Sequence, residues 1–135
     1  MTRRQALVLL LLIGCSSEPA GPVEPVWGKQ PCAHCMMLVS ERAPAAQLLE
    51  PSGARRFFDD IGCMAEWMHE NPTSTAHAWV RGADGQSWQS ATAARFAGAQ
   101  RTPMDYGFVP APAGVDFAGV QAAVRAKALQ RAEAP

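Results

Sequence analysis

Four sulfurs fall within six residues in Cys32-Ala33-His34-Cys35-Met36-Met37. Thiolate and thioether sulfurs are soft donors that select Cu(I) over hard cations, and a thioether binds without giving up a proton. If a strand begins at Cys35, its period of two puts Cys35 and Met37 on one face and Met36 on the other. Cys35 and Met37 are then the better ligand pair. The same residues also read as a Cys32–Cys35 disulfide with Met36 and Met37 as core packers. Three further chemistries compete for the segment. Covalent haem requires His directly after the second Cys, and Met36 excludes it. Cys-Ala-His-Cys resembles the dithiol of periplasmic thiol-disulfide oxidoreductases, in which Cys32 and Cys35 would exchange disulfides. That dithiol heads a helix in a thioredoxin-type βαβ domain, whereas here a strand-like Met-Met-Leu-Val follows. Zinc would need a fourth N or S ligand beside Cys32, Cys35 and Cys63, with His69 the obvious candidate and a spacing unlike that of a finger.

A second segment, Thr102-Pro103-Met104-Asp105-Tyr106-Gly107-Phe108, sets a Met in a Pro- and Gly-bounded loop beside the only Tyr of the chain. Such a Met either plugs a core gap or delivers a distant soft ligand. Met64 and Met68 are i, i+4 on a proposed helix with Cys63 and Trp67, a spacing that reads as core. His34, His69 and His77 have no partners in the sequence and read as surface or structural residues.

The elements that must hold these residues start with an exported leader. Arg3-Arg4, the apolar run Ala6 to Ile13, and Leu12-Ile13-Gly14-Cys15 follow in order the grammar of a bacterial lipoprotein signal, with residues 1–14 removed and Cys15 acylated. More than one acyl chain on Cys15 suffices for stable anchoring to a membrane that the chain does not span. Ser16 after the Cys resembles the signal for the outer membrane, which places the protein on the periplasmic side. Three cysteines then remain in an oxidising compartment, an odd number that points to a reactive or metal-binding thiol. The 12 basic and 12 acidic side chains balance, and no Lys/Arg run exceeds two, so the footprint of a nucleic-acid binder is missing.

Residues 15–30, rich in Pro and Gly, read as a flexible tether, and residues 31–135 as the folded domain. Met36 to Ser40 reads as a strand, Ala46 to Glu50 with Arg55 to Phe58 as a hairpin, and Asp59 or Asp60 as the N-cap of a helix closed by Asn71-Pro72. His77 to Arg81 and Gln86 to Gln89 form a second hairpin around Asp84-Gly85. A short helix over Ala93 to Ala97, an extended Tyr106 to Pro110 and a helix over Val115 to Ala132 complete the chain. The pattern is a small α+β domain of two ββα-like halves plus a C-terminal helix.

Taken together, the lipobox, Trp27 with Cys32-x-x-Cys35-x-Met37, the Phe58-Asp59-Asp60 helix entry, and Thr102 to Phe108 resemble the NosL family over about Trp27 to Pro112. These are copper-binding accessory lipoproteins of nitrous oxide reductase. The resemblance implies a non-enzymatic, membrane-anchored periplasmic chaperone. It would carry one Cu(I) toward the copper-sulfide centre of the reductase, together with a membrane ABC-type complex and its periplasmic subunit. By motif it implies Cys35, Met37 and Met104 as ligands, with Cys32 beside them. Two positions depart from the family pattern. Met36 stands where Gly is common, and Asp105 where a small residue is more usual.

Overall fold

The computed structural model describes Gly14 and residues 19–135. The signal segment other than Gly14, and the acylation site Cys15, lie outside the described residues. Among the described residues no helix is long and apolar enough to cross a membrane.

Strands β1 (Ala46–Leu49) and β2 (Arg55–Phe58) form the expected hairpin, with Leu49 opposite Arg55 and Ala46 opposite Phe58. Its turn closes through Glu50 N–H to Ala54 C=O and Gly53 N–H to Glu50 C=O, with Gly53 at φ 90°, a backbone state in which glycine has no Cβ penalty. Strands β3 (His77–Arg81) and β4 (Trp88–Ser90) join the same antiparallel sheet in the order β2-β1-β3-β4. Strand β4 starts later than the expected Gln86. The carboxylate of Asp84 captures the N–H groups of Gln86 and Ser87 in the turn, a local bond that competes with the ladder.

Helix α1 (Ile61–Glu70) lies where the sequence puts it. The Asp60 carboxylate accepts from Gly62 N–H at 2.9 Å, and Asn71 closes the far end on the Trp67 carbonyl. Ile61, Cys63, Met64 and Ala65 bury one side of the helix against Leu48, Phe58 and Val80. Helix α2 (Phe117–Glu133) is capped by Asp116 and buries Phe117, Val120 and Val124. An Arg125–Glu66 ion pair at 3.8 Å joins it to α1.

The Ala93 to Ala97 helix does not form. A single 3₁₀ turn at Ala91–Ala93 leads into strand β5 (Arg95–Ala97), which pairs with β6 (Val109–Ala111). Phe96, 1% exposed, also exchanges backbone hydrogen bonds with Val115, and this non-local pairing overrides the helical preference of an Ala-rich stretch. The domain is α+β with a C-terminal helix: β1-β2-α1 is one ββα unit, but the β3–β4 hairpin extends the same sheet instead of heading a second unit with a 93–97 helix, and β5-β6 precede α2.

From Pro19 onward the segment read as tether is docked. The Arg55 guanidinium donates to the carbonyls of Pro19 and Gly21, and the buried Gln47 amide bonds both the N–H and the C=O of Val23. Glu24 accepts from Trp27, Trp88 and Arg81. The packed part of the chain therefore starts before residue 31. Gln47 needs this docking, because a buried amide must find partners.

Candidate metal centre

The strand expected from Met36 to Ser40 is replaced by a tight knuckle. Pro31 bridges to Leu38, Val39 N–H bonds Gln30 C=O, Cys32 N–H bonds Met37 C=O at 2.7 Å, and Met36 N–H bonds Cys32 C=O at 3.1 Å. Met36 sits at φ 69°. A period-two argument therefore does not govern which of Cys35, Met36 and Met37 share a face. Ala33 N–H donates to Phe57 C=O and lays the knuckle along β2, next to the Asp59-Asp60 entry of α1.

That placement brings Cys32 and Cys35 together with two residues outside the ligand set implied by the motifs. The donor atoms of Cys32, Cys35, Asp59 and Cys63 all lie within 4.8 Å of one another. Cys63 is in the first turn of α1, and Asp59 lies just before its cap. Cys32, Cys63 and Asp59 are buried, while Cys35 is half-buried at the rim. All three thiols are free. The Cys35 thiol donates to Asp59 Oδ1 at 3.2 Å, and Asp59 Oδ2, also buried, has no hydrogen-bond partner.

The sulfurs are electrostatically unlike. A hydrogen bond from the Cys63 thiol, aided by backbone N–H groups of Cys35, Asp59 and His34, pulls Cys32 down to about 6 against the cost of burial. Burial pushes Cys35 up to about 12, with the Asp59 carboxylate and the Cys32 sulfur adding to the rise and the Met37 N–H opposing it. Cys63 is raised, first because its proton is held by Cys32 and then by burial. The knuckle and the head of α1 thus supply one buried thiolate, stabilised first by the Cys63 thiol and then by backbone dipoles, beside two thiols that keep their protons.

Met37 and Met36 are 48% and 69% exposed, on the solvent side of the knuckle with Leu38. Met104 is half-buried. Its N–H donates to Asp60 Oδ2 at 2.9 Å, so the loop that carries it is tied to the residue next to Asp59. The other side of that loop is gripped by α2. Arg131 donates to the Met104 carbonyl at 2.7 Å and lies over the Tyr106 ring, and Lys127 reaches the Asp105 carbonyl. Gly62 explains how Tyr106 comes so close to α1, since a Cβ there would stand 2.0 Å from the ring.

The histidines lie outside the thiol group. His34 pairs with Glu70 at 3.5 Å, His69 lines a groove with Glu66, Thr75 and Arg125, and His77 stacks on Trp79. A zinc-type set with His69 as fourth ligand is therefore not assembled; Asp59 stands in that place. Met64 is fully buried and Met68 packs against the core. The Cys32-x-x-Cys35 pair sits in a turn within an antiparallel fold, unlike a thiol-oxidase dithiol at a helix head. Cys63 belongs to the zinc alternative read from the sequence, and the signal for the missed Asp59 is the Asp-Asp helix entry with Cys63 four residues after it, which puts a carboxylate and a thiol at one helix end.

No family model, curated protein or solved structure matches the chain.

Proposed function

We propose that the protein binds one Cu(I) as cargo through Cys35, Met37 and Met104, with Cys32 beside them. Held at a membrane by acylated Cys15 on the periplasmic side, it delivers the ion for maturation of the nitrous oxide reductase copper-sulfide centre. The observation that carries this reading is the position of Cys35. It is a half-buried thiol at the boundary between buried thiols and the exposed thioethers of Met36 and Met37. A cargo site needs few, soft and reachable donors, so that an acceptor's sulfur enters before the donor's leaves. The Cys35 proton is released as its sulfur binds, and no electron moves. The reductase and its membrane complex enter through the likeness of the two motifs to the NosL family, and no enzymatic activity belongs to this reading.

A competition titration with a Cu(I)-specific chelator tests it. Losing a direct ligand should cost more than the about 10–100-fold typical of losing a group that merely orients one. Cys35→Ser is therefore expected to weaken Cu(I) at least about 100-fold, and Met37→Leu with Met104→Leu to weaken it further than either alone. Unchanged affinity in both would remove the assignment.

A further inference from the structure

The donor group at the head of α1 holds more than a soft-metal cargo site uses. Cys63 and Asp59 are in neither motif's ligand set, yet their donor atoms converge with those of Cys32 and Cys35 within 4.8 Å. Asp59 is 1% exposed, and one of its oxygens has no hydrogen-bond partner. A buried carboxylate oxygen without a partner is costly, and a cation satisfies it. Carboxylate oxygen is a poor match for Cu(I) but an ordinary ligand of Zn2+.

The donor spacing is within reach of that ion. A tetrahedral centre with Zn–S near 2.3 Å has ligand-to-ligand edges of about 3.8 Å. From separations no greater than 4.8 Å, the four donors need close in by at most about 0.6 Å each. Two sulfurs come from one tight turn and the third from the first turn of a helix, elements that hold their positions by backbone bonds. Backbone N–H dipoles of His34, Cys35 and Asp59 act on the Cys32 sulfur, and that of Met37 on Cys35, each favouring the thiolate form that a metal needs. Half-buried Cys35 is the most exposed of the three sulfur ligands and offers the way in.

We propose that Cys32, Cys35, Cys63 and Asp59 form a tetrahedral site for a divalent d¹⁰ cation, Zn2+, sharing only Cys32 and Cys35 with the copper donors. Each sulfur binds as a thiolate; any proton it carries goes to solvent as its bond to the metal forms, and no electron is transferred. Three thiolates and one carboxylate around Zn2+ give a net charge of −2, the same as a four-cysteine centre. Zn2+ and Cu(I) then compete for Cys35, while Met37 and Met104 serve copper alone.

Titration of the reduced full chain with Co2+, followed by displacement with Zn2+, tests the site. The expected result is one Co2+ per chain, with the intense ligand-field bands of a tetrahedral centre and sulfur-to-metal charge transfer. Cys63→Ala and Cys35→Ser should each lower the charge-transfer intensity by about one third, as three thiolates become two. Asp59→Asn should keep the charge transfer, alter the ligand-field bands and weaken binding. Met37→Leu with Met104→Leu should change nothing. Cys63 is a core residue, so circular dichroism checks the fold of its variant, and Asp59→Asn reports independently of it. Charge transfer that is absent in the parent, or spectra unchanged in both Cys63→Ala and Asp59→Asn, overturns the proposal. A chain that gives the three-sulfur Co2+ spectrum but binds no Cu(I) retires the copper reading and leaves the zinc site standing; the reverse result does the opposite.

Discussion

The knuckle at 31–38 and the loop at 102–107 both carry sulfur residues and both meet the Asp59-Asp60 entry of α1, yet they are held by opposite means. In the knuckle, backbone N–H dipoles act on the sulfurs themselves, those of Cys32 and Cys35. In the loop, the bonds given to Met104 grip its backbone, the N–H by Asp60 and the C=O by Arg131. The difference follows from chemistry. A thiolate is an anion that oriented dipoles stabilise, whereas a neutral thioether accepts only weakly, so its position must be fixed through the chain that carries it. Charge should therefore govern the first region and anchoring the second.

The largest effect expected from that contrast is on acidity. A thiol moved from 9.0 to about 6 has an acid constant raised about a thousandfold. Thiolate absorption of the metal-free, reduced protein is expected to rise with a midpoint near pH 6 and to lose that step in Cys32→Ser. Cys63→Ala removes the chief hydrogen bond to Cys32 and should move the midpoint upward. Because the folded value lies below the unfolded one, this group contributes stability that is full above about pH 9 and is lost as pH falls through about 6. A first thiolate step no lower than that of an ordinary cysteine would break the comparison at its root.

Anchoring is next in size. Asp60 is fully buried and serves twice: one oxygen caps α1 on Gly62, and the other takes the Met104 N–H. Loss of a cap costs about 1 kcal/mol, and a buried N–H left unpaired costs about 1–3 kcal/mol. Asp60→Ala should thus destabilise the fold by about 2–4 kcal/mol in chemical denaturation and loosen the Met104 loop. The outer grip is weaker, because Lys127 and Arg131 act near solvent. Arg131→Ala is expected to cost about 1 kcal/mol or less, with hydrogen exchange faster at Met104 and Asp105 and unchanged at Cys32 and Cys35. Faster exchange spread equally over both regions would mean that they are a single unit.

How much of this is legible in the sequence depends on how local the deciding contact is. Helix α1 can be read because its cap and its terminator, Asp60 and Asn71-Pro72, lie in the helix's own flanks. The Asp84-Gly85 turn is visible for the same reason. Strand β5 is not, because Phe96 finds its partners at Val115 and Pro110, and an Ala-rich run gives no sign of them. The thiol group is half legible. Cys32 and Cys35 announce themselves by spacing, but Asp59 meets Cys35 across 24 residues, through a knuckle whose left-handed residue is a Met that reads as strand. The docked Pro19 to Gln30 segment looks like tether because its partners, Gln47, Arg55, Arg81 and Trp88, are scattered over four strands and none is near it in sequence.

That left-handed Met gives the smallest effect and a direct test of how the two regions differ. Met36 at φ 69° and Asp105 at φ 59° hold equivalent strained turns, each in the segment of a candidate ligand. An L side chain in this region costs about 1–2 kcal/mol, and glycine relieves that cost while adding about 0.5–1 kcal/mol of unfolded-state entropy. Met36 is 69% exposed, so its removal forfeits little packing. Met36→Gly should then stabilise the fold by about 0.5–1 kcal/mol. Asp tolerates the left-handed region better than Met, and Asp105 also pairs with Lys127 at 3.5 Å, an exposed contact contributing at most about 0.5 kcal/mol. Asp105→Gly should therefore sit near zero. If both glycine variants gain equally, the Lys127 pair and the tolerance of Asp count for nothing in the loop. If only Met36→Gly gains, the knuckle keeps a strained residue whose side chain the fold itself does not need.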